Sequence, residues 1–182
     1  MRRPLLQIII VTLLTGCKTS IVTFQTSDPQ KIGVKAAKFR GTAFDSTYSN
    51  EKLHVHDHIV FRKFTPTKHD IAAAERILKN EIKKVNERKP NQFGRRQYID
   101  RNLNEYFRQY VGFFNKDGHR VIRINMHWDK YTASDRLKGN WDIRLEYTSD
   151  YSIVMDGGYQ YWSVNVDLTS GTLYNFSVNG VA

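Results

Sequence analysis

The sequence predicts an α+β domain in which one amphipathic helix packs on an antiparallel meander sheet of about four to five strands. A capping signal at Thr67 is followed by apolar residues at three- and four-residue spacing as far as Val85. From Tyr106 onward, apolar and polar residues alternate and turn residues recur at hairpin spacing. A helix stripe then covers the apolar face of the sheet, which favours a single domain over residues 51–182.

The predicted helix has a recognisable start and end. Thr67 and Asp70 make a capping box, and Thr65 followed by Pro66 at the first helical position is the alternative start. Pro90 ends the helix. The apolar face consists of Ile71, Ala74, Leu78, Ile82 and Val85.

Four strands are predicted after residue 105. Residues 106–114 turn at Asn115-Lys116-Asp117-Gly118 into residues 121–128, because Asp-Gly supplies the positive φ that tight hairpins need. Apolar alternation also recurs in residues 143–155. The side chains predicted to face inward on the last two strands are Trp162, Val164, Val166, Leu168, Tyr174, Phe176 and Val178.

The two segments before the helix are predicted to have different structures. Residues 53–64 alternate and are rich in Val, Ile and Phe, which suits a half-buried strand. Residues 17–50 mix small polar residues with scattered apolar ones, so they predict a tether with one strand. The basic stretch 91–101 after the helix predicts an exposed connection.

Composition and charge restrict the class of protein. With 40% hydrophobic and 13% aromatic residues, the 182-residue chain can bury a core. The formal net charge is +10, and removal of residues 1–16, which hold Arg2 and Arg3 and no acid, leaves +8. Such an excess favours anionic partners. The single cysteine excludes an intramolecular disulfide.

The N-terminus has the architecture of a signal peptide. Met1-Arg2-Arg3 is positively charged, residues 5–14 are an apolar run, and Thr15-Gly16 places small residues before Cys17. The apolar run is about half of the ~20 residues that a membrane-spanning helix requires. The expected cleavage therefore leaves residues 1–16 as a removed signal peptide.

The stretch Leu13-Leu14-Thr15-Gly16-Cys17 resembles the lipobox of bacterial lipoproteins. The resemblance implies diacylglycerol on Cys17, with fatty acid such as palmitate, and cleavage after Gly16. Several acyl chains hold a protein on a membrane durably, since each buried CH₂ contributes about 0.8 kcal/mol. Lys18 stands where an inner-membrane retention signal has Asp. The resemblance thus implies a cell-envelope location, on the outer membrane and facing the periplasm.

The order of elements, one helix followed by an antiparallel meander, is similar to that of cystatin-like and NTF2-like domains. The resemblance is architectural and has no motif behind it. Such folds serve enzymes, inhibitors and binding modules alike.

Three histidines are the most enzyme-like feature of the sequence. His54, His56 and His58 alternate along a predicted strand and share one face. Residues two apart on a strand are separated by about 6.6 Å, so two imidazoles can reach one zinc ion but all three cannot. His127 would supply a further ligand only if its strand lay beside the histidine strand. The sequence therefore predicts a polar strand face without metal, and a metal site is the alternative.

Other candidate ligand-binding residues are aromatic or basic. Tyr159 and Tyr161, outward on the sheet, would form with Trp141 a platform for a sugar or peptide, although cross-strand pairing explains outward aromatics equally well. Arg95 and Arg96 exceed the positive charge that a helix C-terminus accounts for. No catalytic motif occurs in the sequence, which implies no catalytic residue and no cofactor.

These observations support two hypotheses. The first is a non-catalytic, lipid-anchored envelope protein that contacts the bilayer through Cys17 and binds an envelope glycan, an anionic lipid or another protein. Nucleic acid is not expected, since the sequence has none of its binding motifs. The alternative is a metal-dependent periplasmic enzyme that uses the histidine strand.

Overall fold

The computed structural model describes residues 20–51, 53, 62–93, 97–139 and 144–181, which contain eight strands and two helices. The strands are β1 (Val22–Gln25), β2 (Lys31–Lys35), β3 (Arg40–Phe44), β4 (Lys63–Phe64), β5 (Tyr106–Phe114), β6 (Arg120–Trp128), β7 (Tyr161–Asp167) and β8 (Thr172–Val178). The helices are α1 (Lys68–Val85) and α2 (Ala133–Leu137). Short 3-10 turns cover Ile99–Arg101, Leu103–Glu105 and Gly158–Gln160.

All eight strands belong to one mixed sheet with the order β1-β2-β3-β5-β6-β7-β8, in which β4 also pairs with β5. The neighbours are antiparallel except β3 and β5, which are parallel. The predicted α+β class is confirmed. The predicted sheet of four to five antiparallel strands is wrong, because three further strands precede the helix and one pairing is parallel.

Residues 22–44 supply three strands of the sheet, whereas the sequence predicts a tether with one strand there. The strands β1, β2 and β3 are four or five residues long and read VTFQ, KIGVK and RGTAF. Strands this short and rich in Gly, Thr and Lys carry little period-two signal. Their pairing with one another and with β5 places them in the sheet.

Helix α1 lies in the crossover from β3 to β5. Parallel strands cannot be joined by a tight turn, so the chain crosses one face of the sheet, and α1 contacts β6, β7 and β8 on its way. The predicted start is confirmed: Thr67 caps the helix in a capping box with Asp70. The predicted apolar face is buried from Ile71 to Ile82, and the helix ends at Val85, before Pro90.

The capping box should contribute measurably to stability. Thr67 Oγ1 accepts a hydrogen bond from the Asp70 amide at 3.2 Å, and the Asp70 carboxylate accepts one from the Thr67 amide at 3.0 Å. We expect Thr67→Ala to lower the free energy of unfolding by about 1 kcal/mol in urea titrations. Thr67→Ser keeps the hydroxyl and should unfold like the parent. Equal losses in both variants would contradict a role for the cap.

The sheet has a core on each face. The helix side buries Leu78 and Ile82 against Ile124 and Val164, as predicted, with Phe176 packed at the margin. The other face carries a second cluster, which consists of Phe44, Tyr48, Leu53, Val111, Phe113, Val121 and Tyr151. The polar side chains of Gln109, His127 and Asn165 are therefore buried as well.

A bulge in β8 reverses part of the predicted alternation. Ser163 pairs with Ser177, but Asn165 pairs with Tyr174, so two residues of β8 stand opposite one of β7. Asn175 absorbs the extra residue with a φ of 49°. Phe176 consequently faces the helix side as predicted, whereas Tyr174 packs against the second cluster.

Further sequence predictions can be compared with the structure. Residues 144–155 form no strand and instead run over the second face, where Tyr151 is buried. The segment after α1 is not simply exposed, since Gln92 and Ile99 are buried and the Gln92 side-chain oxygen accepts from the Ile99 amide at 2.9 Å. The hairpin at residues 115–118 is confirmed, and Gly118 has a φ of 77°. Of the predicted 53–64 strand, residues 54–61 lie outside the described residues.

Candidate binding cleft

The strand register brings one set of strand ends together, and we call this the Lys35 end of the sheet. It consists of the strand ends at Val22, Lys35, Arg40, Tyr106, Trp128, Tyr161 and Val178. The opposite Lys116 end holds the turns at residues 26–30, 115–119 and 168–171. The N-terminal part of the chain enters the sheet at the Lys35 end, because β1 begins there.

A cleft of about 390 Å³ opens at the Lys35 end. It lies between the turn that joins β2 to β3 and the segment that leads into β5. Its apolar lining includes the rings of Phe39, Tyr106 and Tyr147, and its charged lining consists of Lys35, Lys38, Arg40, Glu105, Asp129 and Lys130. A ligand in this cleft would meet aromatic surface and ionised groups together.

Two carboxylates in the cleft form ion pairs with neighbouring basic side chains. The Arg40 guanidinium donates to both Asp129 oxygens at 2.8 and 2.9 Å, and this hydrogen bonding raises the pKa of Arg40. Lys130 pairs with Glu105 at 2.8 Å. Because each carboxylate is paired, the arrangement is better suited to binding than to proton abstraction.

Two lysines at the mouth of the cleft are different. Lys35 ends β2 and Lys38 lies in the following turn, and both are exposed. In the part of the chain that the structure describes, neither forms an ion pair. These ammonium groups give the cleft a surplus of positive charge, which would attract a phosphate or carboxylate.

A second cavity of about 250 Å³ continues the basic surface from Asp129. It is lined by Asp129, Tyr131, Arg136 and Arg144. Since Asp129 lines both cavities, they are adjacent. Arg136 and Arg144 therefore extend the positively charged region beyond the first cleft.

The predicted aromatic platform is not assembled by its two tyrosines. Tyr159 packs edge-on against Trp128 with ring centroids 5.5 Å apart, on the helix side of the sheet. Tyr161 packs against His127 on the other face, with ring centroids 5.6 Å apart. Trp141, the third predicted member, lies outside the described residues.

His127 is buried rather than solvated. It is 2% exposed, and its Nε2 lies 2.9 Å from the Asn125 side-chain amide. Burial lowers the pKa of His127 from 6.5 to about 4, and hydrogen bonding to the Ser152 backbone only partly opposes this shift. The imidazole is therefore neutral at pH 7. A buried, neutral His127 with this partner is not exposed on the polar face of its strand.

Several predicted site residues fall outside the described part of the chain. These are Cys17, His54, His56, His58, Arg95 and Arg96. Among the described residues, no group of three or more His, Cys, Asp or Glu side chains is placed to hold a metal ion. The histidine-strand prediction stays a prediction.

Little in the sequence points to the cleft residues. Lys35, Lys38 and Arg40 lie within six residues of one another, and this local basic density is the available signal. The composition of the segment around them predicts a tether instead. Asp129 and Glu105 join the cleft only because β6 ends where β5 begins.

No family model matches the chain, and neither a curated protein nor a solved structure shows significant similarity to it. None of the helices formed by the described residues has the length and apolar character that crossing a membrane requires.

Proposed function

We propose that this chain is an envelope lipoprotein, anchored through lipid on Cys17, whose domain is a non-catalytic binding module. The observation that carries the proposal is the segment Leu13-Leu14-Thr15-Gly16-Cys17 after a charged start and a short apolar run. The sheet begins at Val22, so the folded domain follows the cysteine almost directly. An outer-membrane site facing the periplasm is part of the proposal, because Lys18 follows the cysteine.

The cleft at the Lys35 end supports a binding role. Its carboxylates are engaged by Arg40 and Lys130, while Lys35 and Lys38 remain available to an anion. This pattern suits recognition of an anionic envelope component rather than general acid and base catalysis, which needs a group free to exchange its proton.

The cystatin-like part of the proposal concerns architecture alone. Helix α1 followed by the antiparallel meander β5 to β8 has the order of such domains. The strands β1 to β4 are additions to that arrangement. Because folds of this kind host many activities, the architecture does not choose a ligand.

The anchor is tested by substitution of Cys17 in a bacterial host supplied with labelled palmitate. The parent should incorporate label, be processed after Gly16 and fractionate with membranes. Cys17→Ser should incorporate no label and remain unprocessed, since the thiol that receives the diacylglycerol is gone. Mass spectrometry of the N-terminal peptide reads both outcomes.

Thr15→Ala is the matched control, because alanine keeps a small residue before the cysteine. It should be labelled and processed like the parent. Label and mature size retained in Cys17→Ser would overturn the lipoprotein proposal.

A further inference from the structure

The lipid anchor would hold the domain close to the membrane by one particular end. Ile21 is 3% exposed and belongs to the core on the helix side. Only four peptide units join Cys17 to Ile21. A fully extended chain of that length spans about 14 Å at most. If Cys17 is acylated, as the proposed function requires, the chain start at the Lys35 end cannot lie farther than this from the lipid.

Exposed apolar side chains concentrate at the same end. The large hydrophobic residues exposed in the described part of the chain are Val22, Phe24, Phe93, Leu137, Met155 and Val181. Single exposed apolar residues are ordinary on a protein surface, so their common location is the informative feature. All but Phe24 lie at the Lys35 end.

The topology fixes these positions. Val22 begins β1, and Leu137, which is 90% exposed, ends the short helix that follows β6. Val181 follows the end of β8. Met155 lies near the same strand end, because the Asn179 side chain donates to the carbonyl oxygens of its two neighbours, Val154 and Asp156.

Phe93, which is 74% exposed, follows α1 on the way to β5. The neighbouring Asn91 side chain donates to the Asn179 carbonyl oxygen at 2.6 Å, which ties this loop to the end of β8. The five apolar residues therefore lie along the Lys35 end, from β1 at one edge of the sheet to β8 at the other.

Available cations share this end. Lys35, Lys38, Arg136 and Lys138 are exposed and form no ion pair within residues 20–51, 62–93, 97–139 and 144–181. Apolar side chains beside unpaired cations are typical of surfaces that lie on anionic membranes.

The Lys116 end differs mainly in its apolar surface. Two of its basic side chains pair with carboxylates, as Lys31–Asp28 and Arg120–Asp70, both at 2.8 Å, while Lys68 and Lys116 are exposed there. The exposed apolar side chains, rather than the number of exposed cations, therefore distinguish the Lys35 end.

We propose that the Lys35 end docks on the anionic phospholipid surface of the membrane that holds the anchor. The apolar side chains enter the headgroup region, and the cations, including those at the mouth of the cleft, contact lipid phosphates. The anchored domain would then lie against the bilayer instead of standing away from it, and its Lys116 end would face the aqueous compartment.

The docking is tested without the anchor, so that its failure differs from failure of the lipoprotein proposal. The chain from residue 17 with Cys17→Ser is sedimented with vesicles of phosphatidylcholine or of phosphatidylcholine with about 30% phosphatidylglycerol. We expect binding to the anionic vesicles alone, weakened by salt. Lys35→Gln with Lys38→Gln should weaken that binding roughly 30-fold, since each lysine near an anionic surface contributes about fivefold.

Lys68→Gln with Lys116→Gln is the matched control, because it removes the same charge from exposed lysines at the Lys116 end. It should bind like the parent. Leu137→Ser should also weaken binding, and its exposed position leaves folding unaffected. Absence of binding to anionic vesicles, or equal losses in the two lysine pairs, would overturn the docking proposal. With normal labelling of Cys17, either result would leave the lipoprotein proposal in place.

Discussion

Arg108→Met is expected to lower the free energy of unfolding by about 3 to 5 kcal/mol, because it removes the cation that pairs with the Glu75 carboxylate inside the domain. The Arg108 side chain is 2% exposed, and its Nε donates to Glu75 Oε1 at 2.8 Å. Glu75 lies on α1 and Arg108 on β5, so this ion pair joins the helix to the sheet. Urea unfolding of parent and variant at pH 7 measures the loss.

Other contacts fix the arginine in place. Its two terminal nitrogens donate to the Tyr106 and Leu103 carbonyl oxygens at 2.8 Å, and the guanidinium lies 3.8 Å from the centre of the Phe39 ring. The Tyr110 hydroxyl donates to the same Glu75 oxygen at 2.8 Å. Burial, with the Glu75 charge adding to it, raises the pKa of Tyr110 well above its ordinary value, so this hydroxyl stays a donor.

Two controls separate the buried pair from ion pairing in general. Glu75→Gln combined with Arg108→Met removes both charges and keeps an acceptor for Tyr110, so it should recover part of the loss. Lys84→Gln breaks a surface pair with Glu81 and should cost less than about 1 kcal/mol. A small effect of Arg108→Met, or no recovery in the double variant, would contradict this account of the pair.

Acidification should destabilise the domain through His127. The unfolded imidazole titrates near 6.5, whereas the folded one titrates near 4. Between these values the unfolded chain binds more protons, so stability is complete above about pH 6.5 and falls as the pH decreases toward 4. A pKa shift of this size lowers the free energy of unfolding by about 3 kcal/mol between pH 6.5 and pH 4.

The environment of His127 explains why the fold resists protonation. The Asn125 side-chain nitrogen lies 2.9 Å from Nε2, 2.6 Å from the Ser152 carbonyl oxygen and 3.2 Å from Gln109 Oε1, so its two N–H groups are shared among three neighbours. An amide nitrogen can only donate, so a neutral His127 meets it with an unprotonated Nε2. A proton on Nε2 would face this donor without water to solvate it.

Urea midpoints between pH 7 and pH 4.5 measure the effect. His127→Gln removes the titrating group, and its midpoint should change little over this range. His69→Gln is the control, since His69 is exposed in the first turn of α1 and forms no ion pair among the described residues. It should keep the slope of the parent. A slope unchanged in His127→Gln would assign the acid sensitivity to another group.

Local patterns in the sequence were sufficient for α1 and for the antiparallel strands β5 to β8. The Thr67 cap, the Ile71 to Ile82 stripe and the Asp117-Gly118 turn each act over a few residues, so each is visible in a short window. The same reasoning failed at Asn175, because a bulge adds a residue without any change of composition.

The candidate site was much less predictable. The lipobox is a contiguous motif, so the sequence suffices for the lipoprotein hypothesis. The cleft combines Lys35 and Arg40 with Glu105, Asp129 and Tyr147, which approach one another only through the parallel pairing of β3 with β5 and the antiparallel pairing of β5 with β6. No local sequence pattern indicates which strands pair with one another.

The sequence by itself therefore determined the α+β class, the main helix, the last four strands and the expectation of an anchor at Cys17. The tertiary structure decided that residues 22–44 join the sheet, that His127 is buried, and that exposed cations and exposed apolar side chains share the Lys35 end of the sheet. The physical reason is the separation along the chain of the residues that interact. Caps, stripes and turns depend on neighbours within a few residues, whereas strand pairing and burial depend on contacts between residues far apart in the chain.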